Sequence, residues 1–125
     1  MYDTVPTELK VLQHGPGTVV VEVLGEHDLA TKGTTAELLC RLVAENELVV
    51  VDLSETKFID SSFLNNLMKA QRAAHELERT VLLQLGTEPI VRRMLEISNF
   101  LTHFDHVSSR EVALAWQPSL GRLAG

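Results

Sequence analysis

The stretch "VVVDLSETKFIDSS", residues 49–62, decides the fold predicted for this chain. It begins inside "LVVV", residues 48–51, a continuous apolar run of the kind that forms a strand buried on both faces of a sheet. It ends at Asp60, Ser61 and Ser62, and an amphipathic run follows at once. A buried strand that leads through a short loop into a helix predicts an α/β fold, and the two serines need an explanation.

The rest of the chain alternates between short β-rich runs and longer helical patterns. Two strands are predicted to form an antiparallel hairpin around the Gly-Pro-Gly turn at residues 15–17. Capping-box patterns at residues 34–37 and 108–111 predict the starts of the first and last helices. The predicted order is β-β-α-β-α-β-α-β-α. This order indicates a mixed, mostly parallel sheet of four or five strands with about four helices packed on it.

The helix after the two serines is predicted to run from about Ser62 to Glu78 and to be amphipathic. The positions predicted to face the sheet are Phe63, Leu67, Ala70, Ala74 and Leu77. The positions assigned to the solvated face are Asn65, Asn66, Lys69, Arg72 and Glu76. Leu64 and Met68 lie off the centre of the buried stripe, and Ser61 projects near Met68.

The second half of the chain continues the same alternation. "TVLLQLG", residues 80–86, reads as another buried strand, and Thr87 is predicted to cap a third helix at residues 88–97. "HFDHV", residues 103–107, is a weak fifth strand. In open sheets of this kind, sites gather at the carboxyl ends of the strands. That rule directs attention to Asp28 and to the loop between Asp52 and Ser61.

Length and composition limit the classes of function. With 125 residues, 45% of them hydrophobic, we expect one domain over residues 1–125, with a core at about 8–116 and a frayed tail at 117–125. The formal charge of −6 disfavours nucleic acid as a partner. No apolar run approaches the roughly 18 residues of a membrane span, and no signal peptide is apparent, so we expect a cytoplasmic protein without membrane insertion. No heptad pattern forces a dimer, and the default expectation is a monomer.

Several residues have an ordinary structural explanation. His103, Asp105 and His106 look like metal ligands in isolation, but zinc needs three or four ligands in fixed geometry and nothing nearby supplies the others, so no metal is expected. Cys40 lies in an apolar pattern that predicts core filling. Trp116 is predicted to dock the last helix on the domain.

Three explanations compete for the serines. Asp60 or Ser61 can be the helix N-cap, whose side chain accepts hydrogen bonds from first-turn N–H groups. A hydrolase nucleophile needs a histidine base and a glycine-rich elbow, and no glycine flanks these serines. A phosphate on Ser61 would lie at the positive end of the helix dipole and would change any docking surface there. The residues alone leave capping and regulation open.

Three segments resemble the STAS-domain family of anti-sigma factor antagonists. They are "GEHDLAT" at residues 25–31, "VVVDLSETKFIDSS" at residues 49–62 and "TEPIVRRMLEISNF" at residues 87–100. The resemblance implies a bacterial protein, not an enzyme, that binds an anti-sigma serine kinase and thereby frees a sigma factor. It also implies that phosphorylation breaks the complex and that a serine phosphatase restores it. The kinase carries the ATP, so no cofactor is expected in this chain.

The resemblance also implies roles for particular residues. Ser61 corresponds to the phosphoacceptor. The resemblance places Asp28 and Asp60 beside Ser61 in the partner face. The helix geometry adds Ser62, Leu64 and Met68 to the expected partner-binding residues. This chain departs from the family pattern at Phe63, where glycine is usual. An alternative is a lone STAS domain that serves as an accessory subunit of a membrane or lipid-transport complex, in which the serines only cap the helix.

Overall fold

The computed structural model describes residues 9–27 and 32–116. Its strands are β1 (Leu9–Gln13), β2 (Thr18–Val23), β3 (Gly25–His27), β4 (Leu48–Asp52), β5 (Thr56–Ile59), β6 (Thr80–Gln84) and β7 (Asp105–Val107). Its helices are α1 (Lys32–Glu45), α2 (Ser61–Glu76), α3 (Pro89–Ile97) and α4 (Arg110–Leu114), with a 3-10 turn at Phe100–His103 between α3 and β7.

The main sheet has the strand order β1-β2-β4-β6-β7. β1 is antiparallel to β2, and every other neighbouring pair is parallel. Gly15 and Gly17 turn the hairpin with φ angles of +69° and +82°, a region that glycine adopts without a Cβ clash. The predicted mixed, mostly parallel α/β sheet is therefore confirmed.

The two faces of the sheet carry different cores. The larger core contains Val19, Val49 and Val81, which lie side by side in register, and it includes buried residues of α1 and α2. The opposite face carries a small cluster of Val20, Leu48, Val50, Leu82 and Ala113, against which Trp116 packs. The predicted docking role of Trp116 is confirmed. Cys40 on α1 is only half-buried, so it is not the enclosed core residue that the sequence predicted.

Helices α1 and α2 differ from the prediction in detail. α1 begins at Lys32, so residues 34–37 lie within its first turns and do not cap it. Leu77 was predicted to face the sheet, but α2 ends at Glu76. Leu77 is the residue after the last turn and is 50% exposed. Asn66, which was assigned to the solvated face, is 3% exposed. Helical periodicity predicts the direction in which a side chain points, but it does not predict which neighbouring elements cover that side chain.

Helices α3 and α4 begin one residue away from the predicted caps. The N-cap of α3 is Glu88 rather than Thr87, and its side chain makes no capping hydrogen bond. Pro89 is the first helical residue, where its missing N–H has no intrahelical partner to lose. The hydroxyl of Ser109, rather than that of Ser108, accepts the hydrogen bond that caps α4.

β5 lies in what the sequence predicted as the loop between Asp52 and Ser61, and it forms a second, two-stranded sheet with β3. β3 and β5 pair in parallel, with Glu26 opposite Phe58 and His27 opposite Ile59. The hydroxyl of Thr56 donates to the carbonyl of Val23 over 2.6 Å and joins the start of β5 to the end of β2. Strands of three and four residues are too short for a periodic signal. α2 begins two residues after the end of β5.

Substitution of Gly86 by alanine tests how closely the strand ends are packed. An added Cβ would lie 2.7 Å from Cα and 2.9 Å from the carbonyl oxygen of Ser54, which are backbone atoms that cannot rotate away. We expect Gly86→Ala to lower the free energy of unfolding by about 1–3 kcal/mol, as overpacking does. Urea denaturation checks this, with Thr87→Ala at the next, exposed position as the control. Equal stability of the two variants would show that this contact is looser than described.

Candidate functional site

The turn between β5 and α2 is built around the side chain of Asp60. Its Oδ1 accepts a hydrogen bond from the N–H of Phe63 over 3.0 Å, and its carbonyl accepts one from the N–H of Leu64 over 3.2 Å. The backbone of Asp60 is extended, with φ −111° and ψ −179°, as an N-cap requires. Asp60 is therefore the cap, one of the two residues predicted for that role. A cap of this kind is worth about 0.5–2 kcal/mol.

Ser61 is the first residue of α2 and is exposed to solvent, whereas Ser62 is half-buried. The N-terminal turn of a helix presents N–H groups without intrahelical partners and the positive end of the helix dipole. A negatively charged group on the hydroxyl of Ser61 would therefore lie in a favourable field. Because Asp60 already supplies the cap, the Ser61 hydroxyl is not needed to start the helix.

The side chain of Phe63 packs inward, where it is 2% exposed and belongs to the main core. The bulky residue at the position where glycine was expected thus leaves the outer surface of the turn unobstructed. Ser61, Leu64 and Met68 follow the spacing i, i+3, i+7 and share one side of α2. Leu64 is 7% exposed and part of the core, while Met68 is half-buried and packs against it. Among the predicted partner-binding residues that the structure describes, Leu64 therefore has the smallest exposed fraction.

Asp28 lies outside the described residues, so only its chain neighbour is placed. β3 ends at His27, which pairs with Ile59, the residue before Asp60.

Among the residues that the structure describes, no group of three or more His, Cys, Asp or Glu side chains is arranged to hold a metal ion. No helix within the described ranges is long and apolar enough to cross a membrane.

A polar cluster that the sequence did not predict lies at the carboxyl ends of three neighbouring strands. Glu22, Asp52 and Gln84 are in register at the ends of β2, β4 and β6. Arg110, the first residue of α4, pairs with Glu22 over 2.9 Å, pairs with Asp52, and donates to the Gln84 side chain over 3.1 Å. The guanidinium thus holds α4 across the edge of the sheet.

Asp52 is the most enclosed member of this cluster, with a side chain that is 5% exposed. Its Oδ1 accepts a hydrogen bond from the N–H of Ser54 over 2.8 Å, and its Oδ2 binds Arg110. A buried carboxylate is tolerated only when it is paired and hydrogen-bonded, and both conditions are met here. Asp52 therefore ties α4 to the turn that leads into β5.

The charge state of the cluster follows from the surroundings of Arg110. The hydrogen bond to Glu22 raises the pKa of Arg110 most, burial acts against it, and the hydrogen bond to Asp52 raises it further. A raised pKa stabilises the folded state below the ordinary pKa of arginine, and this contribution is lost only in strongly alkaline solution. The guanidinium stays charged throughout the ordinary range of pH.

The comparisons with known proteins agree with this architecture. A family model described as "Mlab, STAS domain" matches residues 11–104 of the 125-residue chain. The chain belongs to the STAS domain family. No curated protein sequence matches this STAS domain significantly.

Solved structures show the same fold. An anti-sigma factor antagonist from Mycobacterium paratuberculosis is 25% identical, with a TM-score of 0.76 over 86% of this chain and 90% of that chain. The anti-sigma factor antagonist SpoIIAA in its unphosphorylated form is 16% identical, with a TM-score of 0.71 over 94% and 96% of the two chains. The Bacillus cell fate determinant SpoIIAA in its phosphorylated form is 14% identical, with a TM-score of 0.65 over 92% and 98%.

Removal of the Arg110 charge tests whether the cluster holds the strand ends together. Arg110→Met leaves the enclosed carboxylate of Asp52 without its cation, and we expect a loss of about 1–3 kcal/mol in the free energy of unfolding. Chemical denaturation measures it, with Arg72→Met at an exposed position of α2 as the control. Adding Asp52→Asn to Arg110→Met should recover part of the loss, because no charge is then buried. If Arg110→Met and the control are equally stable, the cluster does not hold this edge.

Proposed function

We propose that this STAS domain is a bacterial, cytoplasmic anti-sigma factor antagonist. In its unphosphorylated state it binds an anti-sigma serine kinase and frees a sigma factor. Phosphorylation of Ser61 ends the binding, and a serine phosphatase restores it. The observation that carries the proposal is the exposed Ser61 at the start of α2, beside a cap that Asp60 supplies without it.

The physical basis of the switch is charge at one turn. A phosphate adds about −1.5 to −2 charges and three strong acceptor oxygens. On Ser61 it would meet the positive end of α2, so the helix would tolerate it. Beside the carboxylate of Asp60 it would create a concentrated negative patch on the surface that the kinase contacts. The expected result is release of the partner without unfolding.

The residues of the proposed partner surface differ in how far they are exposed to solvent. Ser61 and Ser62 present polar atoms, Met68 presents a half-buried apolar side chain, and Leu64 supports it from the core. Asp28, which is outside the described residues, is proposed to bind the partner together with Asp60. The pairing of His27 with Ile59 supports this, because those two residues directly precede the two aspartates.

The named relatives support the same role. Solved structures of similar fold include proteins described as anti-sigma factor antagonists, and SpoIIAA among them is known in unphosphorylated and phosphorylated forms. We propose that this chain, like them, acts by binding and catalyses no reaction. The kinase would supply ATP and magnesium, and the chain itself would need no cofactor.

A second candidate is an accessory subunit of a membrane or lipid-transport complex. Two observations favour it: the cap by Asp60 explains the polar turn without any modification, and Phe63 departs from the glycine usual in the antagonists. In this role the same surface would hold a partner permanently. Neighbouring genes for a kinase and a sigma factor favour the first function, and genes for transporter subunits favour the second.

Phosphate mapping tests the proposed switch. The wild type, Ser61→Ala and Ser62→Ala are incubated with the candidate anti-sigma kinase and ATP and then examined by mass spectrometry. We expect one phosphate on the wild type and on Ser62→Ala, and none on Ser61→Ala, because Ser61 is the exposed hydroxyl of the pair.

The two serine variants control for each other, since each removes one hydroxyl at the same helix end. Circular dichroism should show native helix content in both, because the cap belongs to Asp60. Phosphate that persists on Ser61→Ala and disappears from Ser62→Ala would reassign the site. A kinase that neither binds nor modifies the wild type would favour the accessory-subunit function.

A further inference from the structure

An open groove of about 530 Å³ lies at the carboxyl edge of the main sheet. Its lining residues are Ser54, Leu85, Gly86, Thr87, Arg92 and Ser108. Ser54 follows β4, the segment Leu85–Thr87 follows β6, and Ser108 follows β7, so three neighbouring parallel strands end at its wall. Open α/β sheets bind their ligands outside these carboxyl ends, and small-molecule sites usually measure about 300–1,000 Å³.

The groove is rich in hydrogen-bonding groups that the protein does not use. Within the described residues, the hydroxyls of Ser54, Thr87 and Ser108 make no hydrogen bond, whereas that of the neighbouring Ser109 caps α4. The backbone N–H groups of Gly86 and Thr87 likewise have no acceptor in the described part of the chain. Residues that line the groove thus carry hydroxyl and N–H groups that have no partner in the described part of the chain.

The close approach at Gly86 keeps these donors together. Its Cα region lies so near the backbone of Ser54 that a Cβ would fall 2.7 Å from the Ser54 Cα. Ser54 is itself held by the hydrogen bond from its N–H to Asp52. Two walls of the groove are thus fixed by backbone contacts rather than by mobile side chains.

The charge in the groove comes from Arg92 in the second turn of α3. Glu88 lies one helical turn earlier but forms no ion pair with it, and no carboxylate of the described residues lies within 4.0 Å of its guanidinium. The carboxylates of Asp52 and Glu22 are already bound by Arg110. Arg92 is therefore available to an anion, and its planar donors suit phosphate and carboxylate groups.

We propose that this groove binds the oxyanion group, a phosphate or a carboxylate, of a small molecule. Arg92 pairs with the charge, and the hydroxyls of Ser54, Thr87 and Ser108 donate to the remaining oxygens. None of the lining residues belongs to the proposed partner surface around Ser61. The proposed ligand site is thus separate from the partner surface, and the proposal does not depend on the proposed kinase.

Titration of the labelled protein with phenyl phosphate and with benzoate tests the site by ¹H–¹⁵N NMR, against sodium chloride at the same ionic strength. We expect saturable shifts at the amides of Gly86 and Thr87 with at least one of the two compounds. Their comparison identifies phosphate or carboxylate as the preferred group. Arg92→Gln should weaken binding by about tenfold, as the loss of a charge-assisted hydrogen bond does.

Arg93→Gln is the matched control, because it removes the same charge from the adjacent, exposed position outside the groove. It should bind like the wild type, and Thr87→Val should bind more weakly. All three variants should retain native spectra away from the groove. Absence of saturable shifts with both compounds, or equal weakening in Arg92→Gln and Arg93→Gln, would overturn the proposal.

Discussion

The enclosed carboxylate of Asp52 is the constraint on which the carboxyl edge of the main sheet depends. A charged group in that position must be paired, and its two oxygens are shared between the N–H of Ser54 and the guanidinium of Arg110. One contact shapes the turn after β4, and the other holds α4 over the strand ends. β5 follows that turn, and the hydrogen bond from the Thr56 hydroxyl to the Val23 carbonyl joins its first residue to the end of β2. β5 ends at Ile59, two residues before Ser61, so these contacts lie at the start of the segment that leads to α2.

This arrangement separates stability from regulation. Asp60 caps α2 and Phe63 packs in the core, so the exposed hydroxyl of Ser61 is needed for neither. A modification there can change the surface charge while the helix and the core remain intact. A residue that was also the cap would couple modification to a loss of helix stability of about 0.5–2 kcal/mol. The proposed switch is therefore compatible with a domain that stays folded in both states.

The sequence predicted the features that repeat and missed those that depend on distant partners. The all-apolar strand β4, the hairpin and the helix after the serines were recognisable because their patterns extend over several residues. The cap by Asp60 was among the predictions because capping is local. The pairing of β3 with β5 and the contact of Arg110 with Asp52 join segments that are remote in the chain. The sequence signal available for the Arg110–Asp52 contact was the set of polar residues at the ends of three apolar strands.

The most direct test of the proposed function is the affinity of the purified anti-sigma kinase for two forms of this chain. Isothermal titration calorimetry compares the unphosphorylated protein with the protein phosphorylated on Ser61. We expect a dissociation constant at least about tenfold larger for the phosphorylated form, because the phosphate adds about −1.5 to −2 charges to the surface that the proposed partner contacts. Equal dissociation constants for the two forms would contradict the proposal that Ser61 is the switch.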